Sequence, residues 1–153
     1  MPQLSMHSPL GDITVSEEGG KIVAVDWGWG RDQDATPVLK KAKAQLEDYF
    51  DGKLAKFDLP LAPEGSDFHK KVWRAMLRIP YGKTLTYGAI AEKLDASAQS
   101  VGTACGRNPL PILIPCHRVV AAGGKLGGYS GAGGLDTKTA LLQLEGALPT
   151  TLL

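Results

Sequence analysis

The segment from Asn108 to Val120, which reads N-P-L-P-I-L-I-P-C-H-R-V-V, constrains the fold of this chain more than any other. Three prolines fix backbone torsions, and the apolar residues between them favour burial. We therefore expect a rigid, buried segment. It would present three functional side chains in succession, Cys116, His117 and Arg118.

This succession suggests a nucleophile with a neighbouring base. A thiol with a pKa of about 8.5 is mostly protonated at neutral pH, and only the thiolate is strongly nucleophilic. His117 offers a base, and Arg118 offers a positive field. The plainer alternatives are an inert core cysteine and a hydrogen-bonded core histidine. No structural zinc site is expected, because Cys105 and Cys116 form no C-x-x-C motif and there is no histidine pair.

The first third of the chain predicts a small sheet followed by a helix. Two short β-branched stretches flank Gly19-Gly20, which predicts a β-hairpin. Thr36 and Pro37 form an N-cap and a first-turn proline. Apolar residues then recur at helical spacing until Asp51-Gly52.

Residues 57–65 contain prolines and glycine and predict a linker, so we expect two domains, 1–62 and 66–153. Ser66 would cap the first helix of the second domain, and Pro80-Tyr81-Gly82 would end it. The apolar face of this helix is formed by Phe68, Val72, Trp73, Met76, Leu77 and Ile79.

Two further short helices, Thr86–Leu94 and Ser97–Asn108, are joined by a turn at 95–97 and predict a helix-turn-helix. Small residues on the second helix would let its backbone approach a groove of nucleic acid. They are Ala98, Ser100, Gly102, Thr103 and Ala104. The plainer alternative is a helical hairpin in the core.

The net charge of +1 conceals a division between the two halves. Residues 1–66 carry 7 Lys and Arg against 11 Asp and Glu, a charge of −4, whereas residues 67–153 carry 10 against 5, a charge of +5. The basic half indicates a polyanionic partner. No apolar run approaches the roughly 20 residues of a membrane span, and the first residues do not resemble a secretory signal. With only two cysteines, we expect reduced thiols and a cytoplasmic location.

The run ending in Pro115-Cys116-His117-Arg118-Val119 resembles the active-site signature of the O6-alkylguanine-DNA alkyltransferases, also called methylated-DNA–protein-cysteine methyltransferases. The resemblance extends from about Phe68 through Tyr87 to Glu145-Gly146, while the N-terminal half matches in general plan. It implies an α/β fold class: a small ribonuclease H-like N-terminal domain and a helical, winged helix-turn-helix C-terminal domain.

The resemblance also implies catalytic roles. Cys116 matches the alkyl acceptor, His117 the base that takes its proton through a water, and Glu145 the carboxylate that orients His117. Asn108 matches the asparagine that fixes the turn before the active-site strand. Tyr87 matches the tyrosine that helps to extrude the nucleotide and donates toward guanine N3.

Other matched positions concern the substrate. The resemblance places four residues in the guanine pocket, Val119, Tyr129, Ser130 and Lys138, and gives Arg118 a structural role. DNA binding in the minor groove is assigned to Ala98, Gln99, Ser100, Gly102 and Arg107. Two departures stand out. Gln99 replaces the arginine that usually fills the space of the extruded base, and the loop from Gly128 to Leu135 is about two residues longer than usual.

The implied function is DNA repair by one irreversible alkyl transfer from O6-alkylguanine in double-stranded DNA to Cys116. No cofactor, no metal and no membrane are expected, and the protein would act as a monomer. Three alternatives stay open. They are a lesion-binding protein without transfer, which Cys116 disfavours, a winged-helix transcription factor that senses alkylation or redox state, and a thiol hydrolase.

Overall fold

The computed structural model describes residues 1–127 and 134–148. The chain divides into two compact units, Met1–Glu64 and Gly65–Leu153, and the division falls inside the segment predicted as a linker.

The first unit is built on a three-stranded antiparallel sheet in the order β1 (Gln3–Met6), β2 (Ile13–Glu18) and β3 (Lys21–Trp27). The β2–β3 hairpin is the one predicted from sequence, and its glycine turn has positive φ at both Gly19 and Gly20. Strand β1 was not predicted. It adds a third strand beside β2 and extends the surface against which the following helix packs.

Helix α1 (Pro37–Phe50) covers the sheet and begins where the sequence predicts. The Thr36 hydroxyl accepts a hydrogen bond from the Leu39 amide, which satisfies one free donor of the first turn. Part of the predicted linker is not free, because the Ile22 amide donates to the Pro60 carbonyl and the Ala62 amide donates to the Ile22 carbonyl. The core of this unit includes Ile13, Val15, Ile22, Val25, Leu39, Ala42, Leu46 and Tyr49.

The second unit opens with α2 (Asp67–Leu77), capped by Ser66 as predicted. Its Trp73 is 1% exposed, and the indole Nε1 donates to the Ala104 carbonyl at 2.9 Å, which ties α2 to a later helix. Leu77, the last residue of α2, was predicted on the buried face but is 46% exposed.

Strand β4 (Leu85–Thr86) leads directly into α3 (Tyr87–Leu94), and a tight turn connects α3 to α4 (Ala98–Gly106). The hydroxyls of Thr86 and Ser97 cap these two helices. Helix α4 ends at Gly106, two residues before the predicted end. The predicted fold class, a small α/β unit followed by a helical unit with a helix-turn-helix, is confirmed.

A short 3-10 turn, Cys116–Arg118, leads into β5 (Val119–Val120), which pairs in parallel with β4. Another 3-10 turn, Ala122–Gly124, follows, and α5 (Leu135–Leu144) is the last helix among the described residues. The pairing of β4 with β5 brings the first residue of α3 beside the strand that follows Cys116. Among the described residues, no helix combines the length and apolar character that crossing a membrane requires.

Candidate active site around Cys116

Every residue from Leu110 to Val120 is buried, as the sequence predicts for this segment. Asn108 closes the turn at its start. The Asn108 side chain donates from Nδ2 to the Ile114 carbonyl and accepts at Oδ1 from the Leu110 amide, both at 2.9 Å. Inside the turn, Ile112 adopts a φ of 75°, a conformation that a β-branched residue rarely takes. The turn that precedes Cys116 is thus held by hydrogen bonds among its own residues.

Cys116 is only 7% exposed. Burial raises the pKa of its thiol, while a hydrogen bond from the Asn108 side chain and the positive charge of Lys138 act in the opposite direction. Burial is the largest of these effects, so the resting sulfur is a neutral thiol. Such a sulfur needs a base before it can act as a nucleophile.

His117 lies directly after the thiol and its side chain is fully buried. Its Nε2 is 2.7 Å from Oε2 of Glu145, whose side chain is also fully buried. Because a carboxylate can only accept, Nε2 donates and the lone pair of the neutral ring lies on Nδ1. Nδ1 has no hydrogen-bond partner among the described residues. Burial lowers the pKa of His117, so the ring is a neutral base with its accepting nitrogen unused.

Glu145 follows the last residue of α5. It is bonded to the 3-10 turn that contains His117 and Arg118 and, through Arg118, is linked to the segment just after α2. Arg118 donates from Nε to Oε1 at 2.8 Å and from Nη2 to Oε2 at 3.0 Å. Its remaining terminal nitrogen, Nη1, donates to the Ile79 carbonyl just beyond α2 at 2.7 Å. A single buried carboxylate is therefore held by an arginine and an imidazole together.

Tyr87 and Lys138 form the other side of the site. The Lys138 ammonium donates to the Val119 carbonyl at 2.6 Å and lies 5.7 Å from the centre of the Tyr87 ring. Burial, and then the negative charges of Cys105 and Cys116 when these are ionised, raise the pKa of Tyr87 to about 12. The phenol therefore keeps its proton at neutral pH and can serve as a donor.

Gly127 is pressed against this tyrosine. A Cβ atom at Gly127 would lie 2.9 Å from Cε2 and 3.1 Å from the hydroxyl oxygen of Tyr87. The backbone of Gly127 therefore forms a wall against the phenol ring of Tyr87. A side chain at Gly127 would displace that ring.

Both units match families of known proteins. Residues 67–147 match the family described as 6-O-methylguanine DNA methyltransferase, DNA binding domain. Residues 4–63 match 6-O-methylguanine DNA methyltransferase, ribonuclease-like domain. The chain belongs to the O6-methylguanine-DNA methyltransferase family. The match extends the resemblance seen in the sequence to the N-terminal unit.

Individual relatives in this family resemble the chain over nearly its whole length. It is 45% identical to the methylated-DNA–protein-cysteine methyltransferase of Methanosarcina acetivorans, covering 92% of this chain and 96% of that protein. The crystal structure of Mycobacterium tuberculosis OGT in complex with DNA superimposes with a TM-score of 0.86 at 39% identity, covering 96% and 94% of the two chains. The Methanococcus jannaschii O6-methylguanine DNA methyltransferase gives a TM-score of 0.68 at 34% identity, covering 98% and 97%.

Most residues assigned from the family signature lie in one cluster. Asn108 is hydrogen-bonded to Cys116, His117 follows Cys116 in the chain, and His117 is hydrogen-bonded to Glu145. Tyr87 and Lys138 lie within electrostatic range of Cys116. Val119 is fully buried and offers its backbone carbonyl, which Lys138 already binds. The remaining two candidates, Tyr129 and Ser130, and most of the longer loop lie outside the described residues.

The residues assigned to DNA lie along α4 and just after it. Ala98, Gln99 and Ser100 are exposed in its first turn, Gly102 is half-buried, and the exposed Arg107 follows the last turn. This surface is formed by short side chains, with Gln99 the longest on the helix itself. Cys105 lies on the same helix but faces inward, and its Sγ contacts Met76 Sδ at 3.5 Å.

Sequence reasoning missed how Arg118 is used. It assigned this residue to the support of nearby backbone, which describes the bond to Ile79 but not the two bonds to Glu145. The adjacency of Arg118 to His117 is the only sequence signal for that link, because Glu145 lies 27 residues away. The contact of Gly127 with Tyr87 could not be predicted either, because the sequence shows only one more glycine in a glycine-rich stretch.

Proposed function

We propose that this protein repairs DNA by moving an alkyl group from the O6 of guanine onto its own Cys116, once per molecule. The observation that carries the proposal is the buried series Cys116, His117 and Glu145, in which Nδ1 of the base has no hydrogen-bond partner within residues 1–127 and 134–148. Membership of the family and the names of its relatives support the same reaction. No cofactor is needed for it.

The side chains of the site, together with solvent, account for every bond and proton in this reaction. The thiol proton of Cys116 passes to Nδ1 of His117, through a water as the family resemblance implies, and Glu145 stabilises the ring as it becomes charged. The sulfur then attacks the alkyl carbon, and the electron pair of the breaking C–O6 bond goes to the guanine. The Tyr87 phenol donates toward guanine N3 and offsets the developing charge. Proton donation to N3 leaves a Tyr87 phenolate, which takes a proton from solvent while the charged His117 releases one to solvent. Overall, one proton moves from sulfur to guanine and one alkyl group moves from guanine to sulfur.

The DNA partner follows from the reaction and from charge. A carbon at O6 cannot be reached inside stacked duplex DNA, so the nucleotide must be extruded. The exposed first turn of α4, with Gln99 as the residue that would fill the gap, and the positive charge of residues 67–153 support binding of double-stranded DNA in this manner. Val119, Tyr129, Ser130 and Lys138 are proposed to line the pocket that receives the guanine.

We propose the domain limits 1–62 and 66–153, action as a monomer and a cytoplasmic location as parts of the same hypothesis. The family matches, which end at residue 63 and resume at residue 67, support the limits. Two cysteines that serve as reduced thiols, rather than as a disulfide, support the location.

Intact-protein mass spectrometry after incubation with O6-methylguanine duplex DNA tests the proposal. The protein should gain one methylene, located on Cys116 by peptide mapping, and one molecule should repair at most one lesion. Cys116→Ser should abolish the gain, whereas Cys105→Ser, the matched control, should retain it. DNA binding without a mass gain would favour a lesion-binding protein or a transcription factor, and repeated turnover would exclude a consumed acceptor.

A further inference from the structure

The Arg118 guanidinium joins the backbone to the proposed base assembly. One of its terminal nitrogens binds the Ile79 carbonyl, while Nε and the other terminal nitrogen bind the two oxygens of Glu145. The oxygen that accepts from Nη2 also accepts from Nε2 of His117. The carboxylate is fully buried and the arginine nearly so, so water cannot screen either charge effectively.

This arrangement matters for the charge of the histidine. A buried carboxylate without a counterion favours the protonated form of a neighbouring imidazole. An imidazolium has protons on both nitrogens and cannot accept another one. Arg118 carries a permanent positive charge, and its two bonds to Glu145 make the pair neutral overall. His117 therefore faces a Glu145 carboxylate that is held in place and whose negative charge is compensated by Arg118.

We propose that Arg118 is a positioning residue for the base: it holds the Glu145 carboxylate in place and offsets its charge, so that His117 rests as a neutral imidazole able to accept the Cys116 proton. The inference rests on the proposed function for the identity of the reaction. It goes beyond the structural role assigned to Arg118 from sequence, because the guanidinium charge helps to keep His117 neutral and able to accept a proton.

The ionisable groups around His117 come from three places. Glu145 and Lys138 approach from α5 and its end, Cys116 and Arg118 flank the ring in sequence, and Tyr81 lies between α2 and β4 near Arg118 and Glu145. Helix α2 also packs here, and its buried residues, Val72, Trp73 and Met76, carry no ionisable group. Burial lowers the pKa of His117, Glu145 raises it, and the charges of Arg118 and Lys138 lower it further.

Two variants separate the charge of Arg118 from its geometry. Arg118→Gln removes the charge, and Arg118→Lys keeps the charge but loses the two-pronged contact. Single-turnover transfer from the free base O6-benzylguanine, followed across pH, reports the fraction of His117 that is neutral. Arg118→Gln should move the acidic limb of the profile upward by about one pH unit or more. Below that limb its rate should fall about tenfold per unit and recover at high pH. Arg118→Lys should keep the limb near the wild-type position.

A second measurement does not depend on alkyl transfer. Nitrogen-15 NMR of the three histidines should show His117 neutral at pH 7 in the wild-type protein, with its proton on Nε2. Its titration should shift upward in Arg118→Gln. His7 is the matched control, because it pairs with Asp12 at 2.6 Å on the surface, and its resonances should be the same in both proteins.

Each outcome decides the point. The inference is wrong if His117 is charged at pH 7 in the wild-type protein, or if its titration is the same in Arg118→Gln. It is also wrong if the glutamine and lysine variants lose the same rate at every pH, since that result describes a purely structural arginine. If Arg118→Gln does not fold, the wild-type spectrum and Arg118→Lys still decide. Absence of transfer by the wild-type protein would instead refute the proposed function and leave the NMR result standing.

Discussion

Replacing Glu145 with glutamine perturbs the site where His117 and Arg118 meet. The carboxylate accepts a hydrogen bond from His117 and two from Arg118. An amide of the same size has one accepting oxygen and one NH2 group, which would face an incoming donor. At least one buried donor therefore loses its partner, and the positive charge of Arg118 loses its counterion.

Two magnitudes follow from this loss. General-base assistance is worth about 10²–10⁴-fold, so Glu145→Gln should slow transfer to Cys116 by a factor in this range. Breaking one side of a buried ion pair costs about 3–5 kcal/mol, a large part of the roughly 5–15 kcal/mol that holds a domain together. DNA affinity should change little, because Glu145 is buried, whereas the residues proposed to bind DNA are exposed in the first turn of α4.

The assay measures single-turnover transfer from O6-methylguanine duplex DNA at a temperature where circular dichroism shows the variant folded, alongside urea unfolding and DNA binding. Asp12→Asn is the matched control. It alters a histidine–carboxylate pair of the same 2.6–2.7 Å length on the surface, where such pairs contribute about 0–1 kcal/mol. An unchanged transfer rate in folded Glu145→Gln would remove Glu145 from the mechanism.

Three other perturbations test separate parts of the molecule. Gln99→Arg should speed repair of duplex O6-methylguanine, because arginine can fill the gap and lie near phosphates, and the gain should shrink with free O6-benzylguanine. Equal changes on both substrates would contradict this. Gly127→Ala should slow transfer more than Gly123→Ala, since both positions have positive φ but only the first would press on Tyr87. Equal rates in these two variants would show that the Tyr87 wall is unimportant. Burial, then the negative charge that Cys116 carries when it is ionised, raise the pKa of Cys105 to about 12. The folded state therefore favours the neutral thiol, and the free energy of unfolding should fall as pH rises above 9. Cys105→Ala should show a shallower fall in urea unfolding, and parallel curves would count against the assignment.

The sequence predicted those elements that have local signals. The β2–β3 hairpin has its glycine turn, and α1 and α2 have capping residues together with helical spacing of apolar residues. Strand β1 has four residues, none of them β-branched or aromatic, so its local sequence indicates a strand only weakly. Its formation depends on the pairing with β2. The parallel pairing of β4 with β5 is two residues long and likewise has no local signal.

The same distinction holds for the site. Cys116 and His117 are adjacent, so their chemistry could be proposed from the residues alone, whereas Glu145 entered through the family resemblance. The bidentate contact of Arg118 with Glu145 depends on where α5 ends relative to the 3-10 turn, which spacing along the chain does not determine. The wall at Gly127 depends in the same way on the three-dimensional path of the chain.

The self-bonded turn at Asn108 has a consequence for motion. The amides of Ile114 and Cys116 donate to carbonyls within the same buried segment, at 2.8 Å each, so their hydrogen exchange requires that segment to open as a whole. Small fluctuations are therefore expected to leave the sulfur where it is. When a nucleotide enters the site, the residues around Cys116 would move to accommodate it. The Cys116 sulfur would stay in place, and the incoming base would be aligned against it.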